Sequence, residues 1–287
     1  WRAYLRDLSE RGILFADKLS TVSRQYAEDI IIPEHGFGLH TLFAERRGDL
    51  HGIMNGIDQS ASDPRTDDCI PANYSSGDLA GKAECRAHLL KTCGLDAGDD
   101  VPVFGMVSRL SDHKGVHQID AASDVLDDHD IRVIILGTDT REHQNLMVQL
   151  ASRYPRKVRV MLRFDKRMAH LIYAGSDAYL MPSKFEPCGL SQFIAMRYGS
   201  LPVVHRTGGL GESVIDLGEH PDTGTGFAFD EFRTSTFKDA IARTEAAFRE
   251  PGRTRWNAAV KRAMEGDYSW DNAASRYIEL YGNVSGR

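Results

Sequence analysis

From about residue 78 the chain alternates two kinds of hydrophobic run. "DLAGKAECRAHLLKTCGL" carries apolar residues at helical spacing and ends on a glycine suited to capping a helix. "VPVFGMV" is continuously apolar, as strands buried on both faces are. A helical stretch near 116–127, the strand "IRVIIL", a helix near 140–154 and the strand "KVRVML" follow. Then come a short helix near 166–174, the strand "DAYLM", a helix after Pro187, the strand "LPVV" and a short helix from Gly209. This alternation predicts right-handed βαβ units and an α/β fold with a doubly wound, Rossmann-like parallel sheet. Such sheets bind ligands at the carboxyl ends of their strands. The turns at 108–115, 137–140, 182–190 and 205–209 all run from strand to helix, so all are expected on that edge.

The two ends fall outside this pattern. Residues 1–60 hold the strand-like "KLSTVS", an irregular "PEHGFGLHTLFAERRGDL" and the turn "NGID". Residues 61–265 carry the predicted sheet. Residues 266–287 include "YSWDNAASRYIELYGNV", which reads as an amphipathic helix packing through Trp270, Tyr277, Leu280 and Tyr281. Both ends are expected to pack partly outside the 61–265 core. The chain opens without an initiator methionine and already in a helical pattern, as a partial or trimmed protein would.

With 287 residues, 41% of them hydrophobic, the chain can bury a substantial core in one or two domains. A formal net charge of −6 argues against a nucleic-acid binder, which needs a basic face. No apolar run approaches membrane-spanning length. The four cysteines, at 69, 85, 93 and 188, form no CxxC and read as reduced thiols of a cytoplasmic protein.

Chemistry-bearing residues gather in the strand-to-helix turns. Arg109 and Lys114 in "SRLSDHKG" suit a diphosphate, one as a fork and the other as a point charge, although solvated loop charges look the same. Gly208 and Gly209 in "HRTGGLGES" resemble a phosphate-cradling turn, but paired glycines often serve geometry alone. In "FEPCGLS", Glu186 precedes a helix N-terminus, where free N–H groups favour anions. His113 and His117 are four apart, with no third metal ligand at a suitable spacing. Cys188 has no His-Asp partner pattern and reads as a small pocket-lining side chain. Taken together, carboxylate, cations and glycine turn suit cleavage of a sugar–diphosphate bond.

"PSKFEPCGLSQFIAMRYGSLPVVHRTGGLGESV", with "FGMVSRLSDHKG", "TVSRQYAEDI" and "ERRGDLHGIMNGID", resembles the bacterial glycogen synthase and plant starch synthase family over nearly the whole chain. The resemblance implies a GT-B glycosyltransferase, in which two Rossmann-like domains enclose a cleft. Residues 61–265 would be its C-terminal, nucleotide-sugar-binding domain, and residues 1–60 a remnant of the acceptor domain with the hinge. Residues 266–287 would pack back toward the acceptor domain. The implied reaction moves glucose from ADP-glucose to the non-reducing end of an α-1,4-glucan with retention, without metal or other cofactor, in a bacterial cytoplasm or a plant plastid.

Position by position, the resemblance assigns the diphosphate to Arg109 and Lys114, and the glucose hydroxyls and developing anomeric charge to Glu186. The backbone of Cys188, Gly189 and Leu190 would contact sugar and phosphate, with Ser191 near the distal phosphate. Thr207 and Gly208 would flank the nucleotide, Phe164 would stack on adenine, and Asn55 would lie near the glucose. Three departures stand out. The family's Lys-Thr-Gly-Gly-Leu motif is missing, so this chain alone is expected to bind ADP without elongating glucan. Ile194 stands where neighbouring families place a second glutamate, and Asp139 replaces a frequent glycine. Two alternatives stay open: a GT-B transferase using UDP-glucose, and a non-catalytic nucleotide-binding module.

Overall fold

The computed structural model describes residues 2–285. Its main sheet has six parallel strands: β3 (Val103–Val107), β4 (Arg132–Leu136), β5 (Val158–Met161), β6 (Ala178–Met181), β7 (Leu201–His205) and β8 (Phe227–Phe229), numbered after two short strands near the N-terminus. Their spatial order is β5-β4-β3-β6-β7-β8. The chain therefore builds outward from β3 in one direction, then returns to its other side at β6. Between β3 and β6 lies the switch point, where the two following loops part and leave a crevice.

The apolar runs become strands because both sheet faces are covered by helices. Phe104, Ile134, Ile135 and Val203 are fully buried. Helix Ala80–Cys93 stops at Gly94, whose φ of 61° lets its N–H reach back to Leu90 and Lys91. The expected helix near 116–127 is two pieces, Val116–Ala121 and Val125–Asp128. Beyond Ser213 the structure adds the edge strand β8 and helices Thr234–Arg249 and Thr254–Glu265. Buried Asp216 ties this edge together: it accepts from the Ala228 N–H at 2.6 Å and pairs with Arg243 at 3.0 Å.

The N-terminal segment forms its own small parallel pair, β1 (Leu19–Thr21) with β2 (Leu50–Gly52). Helix Arg24–Asp29 follows, and it leans on the site side of the main sheet. Ser23, fully buried, caps that helix through the Tyr26 N–H at 3.0 Å and donates its hydroxyl proton to the Pro187 carbonyl at 2.6 Å. The Gln25 N–H meets Glu212 at 2.5 Å. At the other end, helix Trp270–Ser285 buries Ala273 and Leu280. Trp270 and Tyr281 are 49% and 63% exposed. The segment at Ile57 runs beside the start of this helix: the Ile57 N–H bonds the Tyr268 carbonyl at 2.8 Å.

Candidate functional site

The loops after β3 and β6 are stitched across the switch point. The single 3-10 turn Asp112–Lys114 ends at Gly115, with φ of 77°. A Cβ there would lie 2.0 Å from the Pro182 carbonyl oxygen, so only glycine lets the two loops come this close. The Lys184 N–H then bonds the His113 carbonyl at 3.0 Å. Over this contact Lys114 Nζ donates to Glu186 Oε2, and the Ser183 hydroxyl approaches the same oxygen at 3.4 Å. Glu186 is 8% exposed. A nearly buried carboxylate is thus held by one flexible ammonium.

The turn after β7 closes over the back of this loop. At Gly208 φ is 46°, and an added Cβ would lie 2.2 Å from the Glu186 carbonyl oxygen. The Gly209 N–H donates to the Glu186 and Pro187 carbonyls, both at 3.1 Å. These glycines do permit close backbone approach, but the backbone they admit is the protein's own. Thr207 precedes them at the mouth of helix Gly208–Ser213. Buried Gln192 holds the next carbonyls, of Cys188 and Gly189, at 3.1 Å each, and Gly189 takes a φ of 70°. Leu190 is exposed at the loop's tip.

Cys188 faces the segment at Met54 and Asn55. Its thiol contacts the Met54 sulfur at 3.4 Å and the Asn55 backbone N–H, and burial raises its pKa. A thiol so placed is a packing group. Asn55, half-buried, is thereby fixed next to the Glu186 loop.

A second cluster lies along the carboxyl ends of β3, β4 and β5. Here a cavity of about 350 Å³ is lined by Arg109, Gly137, Phe164, His170, Tyr173 and Ile194 among others. Phe164 is 92% exposed. It stands in the turn before helix Lys166–Gly175, whose cap Asp165 accepts from the Met168 N–H at 3.0 Å and pairs with Arg163 at 3.0 Å. Asp165 is thus occupied on both sides, leaving the phenyl ring free. The exposed Arg109 guanidinium makes no hydrogen bond or ion pair among the described residues. Ser191 lies against the hydroxyls of Tyr173, which lines the cavity, and of buried Tyr179 behind it. Asp139 folds its carboxylate onto the Thr140 N–H at 2.8 Å.

Several residues of this site escape a reading of the sequence. Beneath the cavity, His170 Nδ1 lies 2.7 Å from Asp67 Oδ2, which also accepts the Tyr198 hydroxyl at 2.6 Å. Burial pushes the Asp67 carboxyl up, but these partners and the Cys69 N–H outweigh it and hold it below the usual range. The only signal in the sequence is a lone histidine in the amphipathic "KRMAHLIYAG". His113 and His117, four apart in sequence, do not share partners: His117 turns toward His143 on the helix after β4. No periodicity connects residues that meet only once β3 and β4 are adjacent.

A ring and a free cation on one cleft, next to a held carboxylate, suit a base, a diphosphate and a polar group carried on it. Comparison with known proteins gives the family of the chain. The family model of group 1 glycosyl transferases matches residues 95–261, more than half of the chain. A model of the starch synthase catalytic domain matches residues 5–45. Glycogen synthase of Anaeromyxobacter dehalogenans is 43% identical across 94% of this chain and 56% of its own length. Glycogen synthase 2 of Geobacter sulfurreducens is 42% identical across 98% and 58%. Among solved structures, the catalytic domain of starch synthase IV from Arabidopsis thaliana, bound to ADP and acarbose, superposes with a TM-score of 0.90. It is 34% identical, over 97% of this chain and 58% of that one. The chain spans a little over half the length of these relatives. It belongs to the group 1 glycosyl transferases and is similar to glycogen and starch synthases along most of its length.

Proposed function

We propose that this chain supplies the nucleotide-sugar-binding side of a glycogen or starch synthase that transfers glucose from ADP-glucose to an α-1,4-glucan with retention. Carrying the proposal is the Lys114–Glu186 pair at the switch point, beside a cleft that presents an exposed Phe164 and an Arg109 with no hydrogen-bond or ion-pair partner among the described residues. Phe164 stacks on the adenine, since an exposed ring at a strand end otherwise gains nothing. Arg109 and Lys114 take the diphosphate and stabilise it as it leaves.

Glu186 then has a task once Lys114 turns to phosphate. Its carboxylate orients the glucose hydroxyls and offsets positive charge at the anomeric carbon, with Asn55 at the hinge side of the sugar. Backbone groups of Cys188, Gly189 and Leu190 face sugar and phosphate, Ser191 the distal phosphate, and Thr207 with Gly208 the nucleotide. Adenine as the base is supported by the ADP bound in the starch synthase IV structure. Residues 61–265 would be the nucleotide-binding domain of the GT-B pair, with 1–60 and 266–287 belonging to the acceptor side. The bacterial relatives favour a cytoplasmic setting. No helix among the described residues is long and apolar enough to cross a membrane.

The test is Glu186→Gln in the full-length enzyme. Glucose transfer from ADP-glucose should be largely abolished while ADP affinity is kept or rises, because Lys114 is released to phosphate. Loss of ADP binding in step with activity would make Glu186 a structural brace for its turn and overturn the assignment.

A further inference from the structure

Behind the phosphate-facing loop, three side chains from three segments converge. Asp112 opens the turn Asp112–Lys114, His117 lies on helix Val116–Ala121, and His143 on helix Arg141–Arg153. His143 Nε2 is 2.9 Å and His117 Nε2 3.1 Å from the same Asp112 oxygen. The two rings meet edge to face at 5.4 Å. His143 is buried, with Nδ1 2.9 Å from the Thr140 hydroxyl, while Asp112 and His117 stay open to solvent.

Two imidazole nitrogens aimed at one carboxylate oxygen hold either their own N–H hydrogens or a shared cation between them. When His143 donates Nδ1–H to Thr140, its Nε2 presents a bare lone pair to the cluster. That outer hydrogen bond is how metal-ligating histidines are fixed in tautomer and orientation. Bonds of about 2.0–2.1 Å to a tetrahedral ion set ligand atoms about 3.3 Å apart, so the two histidine–carboxylate distances have to open by only a few tenths of an ångström.

We propose that Asp112, His117 and His143 form a binding site for a divalent transition ion of the zinc type, its remaining position open to water. Two imidazoles and one carboxylate favour Zn²⁺ or Co²⁺ over Mg²⁺. The ion ties the turn carrying Asp112 to the helix behind β4. Lys114 ends that same turn, so the metal fixes the backbone from which it reaches Glu186. None of the three ligands is assigned to the nucleotide, and the site stands whether or not the cleft takes ADP.

The experiment titrates Zn²⁺ by calorimetry, and Co²⁺ by visible absorption, into the untagged chain, with Mg²⁺ as comparison. Expected are one saturable Zn²⁺ per chain, a tetrahedral Co²⁺ spectrum displaced by Zn²⁺, and no response to Mg²⁺. His117→Gln, at an exposed position that leaves the fold intact, should weaken Zn²⁺ about a hundredfold; His113→Gln should change nothing. His143→Gln should weaken it equally. A second candidate cluster, Asp67 with Cys69 and His170, serves as the control. Absence of saturable Zn²⁺ binding overturns the proposal. So does binding that survives His117→Gln, or binding that disappears with Cys69→Ser.

Discussion

Lys114 and Glu186 are neighbours only because β3 and β6 are adjacent; they come from turns 72 residues apart in sequence and meet as an ion pair over the switch point. The pair is enclosed, with the lysine side chain 25% and the glutamate side chain 11% exposed. Arg109, on the same loop, has no such partner among the described residues. These two cations should therefore respond differently to removal. Lys114→Ala strands a carboxylate and should cost about 1–3 kcal/mol, read as a lowered melting temperature. Arg109→Ala should stay within about 0.5 kcal/mol of the native protein, as surface changes do. In the full-length enzyme both should lower kcat more than they raise KM, by on the order of a hundredfold, because charge builds on the diphosphate in the transition state. Near-native turnover at saturating ADP-glucose in either variant would remove that residue from the diphosphate.

Phe164 separates binding from stability. The ring is 92% exposed, so Phe164→Ala should leave the melting temperature unchanged. Loss of a stacking platform worth about 1–3 kcal/mol should weaken ADP roughly ten- to hundredfold, and Phe164→Tyr should restore it. An ADP affinity indifferent to Phe164→Ala would place the base elsewhere.

Glycine at 115 is required by contact as well as by φ. Gly115→Ala would thrust a methyl against the Pro182 carbonyl and should cost more than about 1–3 kcal/mol, the cost of left-handed strain by itself. Gly12→Ala, in a helix with open space around its α-carbon, should be neutral or stabilising by about 0.5–1 kcal/mol. Equal melting temperatures for the two variants would mean the loops are not held together as described.

Acid stability should depend on Asp216. Burial pushes its carboxyl up, but the Ala228 N–H and the Arg243 guanidinium outweigh it and hold its pKa below the ordinary value. A carboxyl with a depressed folded pKa stabilises fully above its unfolded pKa of about 3.9, and the contribution is lost as pH falls through the folded value. Asp216→Asn should cost about 1.5–3 kcal/mol at pH 7, and the gap to the native protein should narrow below about pH 4. A gap that stays constant down to pH 3 would deny the carboxylate that role.

Strands β3 to β7 were legible because strands buried on both faces leave unbroken apolar runs such as "VPVFGMV" and "IRVIIL". β8 was not, since three residues carry no measurable period. The placing of Arg109, Glu186 and Gly208 on one edge followed from strand-to-helix order alone. What each touches did not. The Lys114–Glu186 pair depends on strand order, which a list of elements leaves open. The grip of Ser23 on Pro187 joins residues 164 apart, and Asp67 sits in a polar loop with no pattern to mark it. Trp270 and Tyr281 stay largely exposed, so an amphipathic stripe marks a helix face without saying what covers it.

The most direct measurement is a calorimetric titration of ADP, with UDP in parallel, into the native chain and its Arg109→Ala variant. The cleft at the carboxyl ends of β3 to β5 should take one ADP per chain, more tightly than UDP, and lose at least about tenfold in affinity when Arg109 loses its charge-assisted contacts of roughly 1.5–3 kcal/mol. No saturable ADP binding, or binding of equal strength in the two chains, would contradict a nucleotide site at this edge.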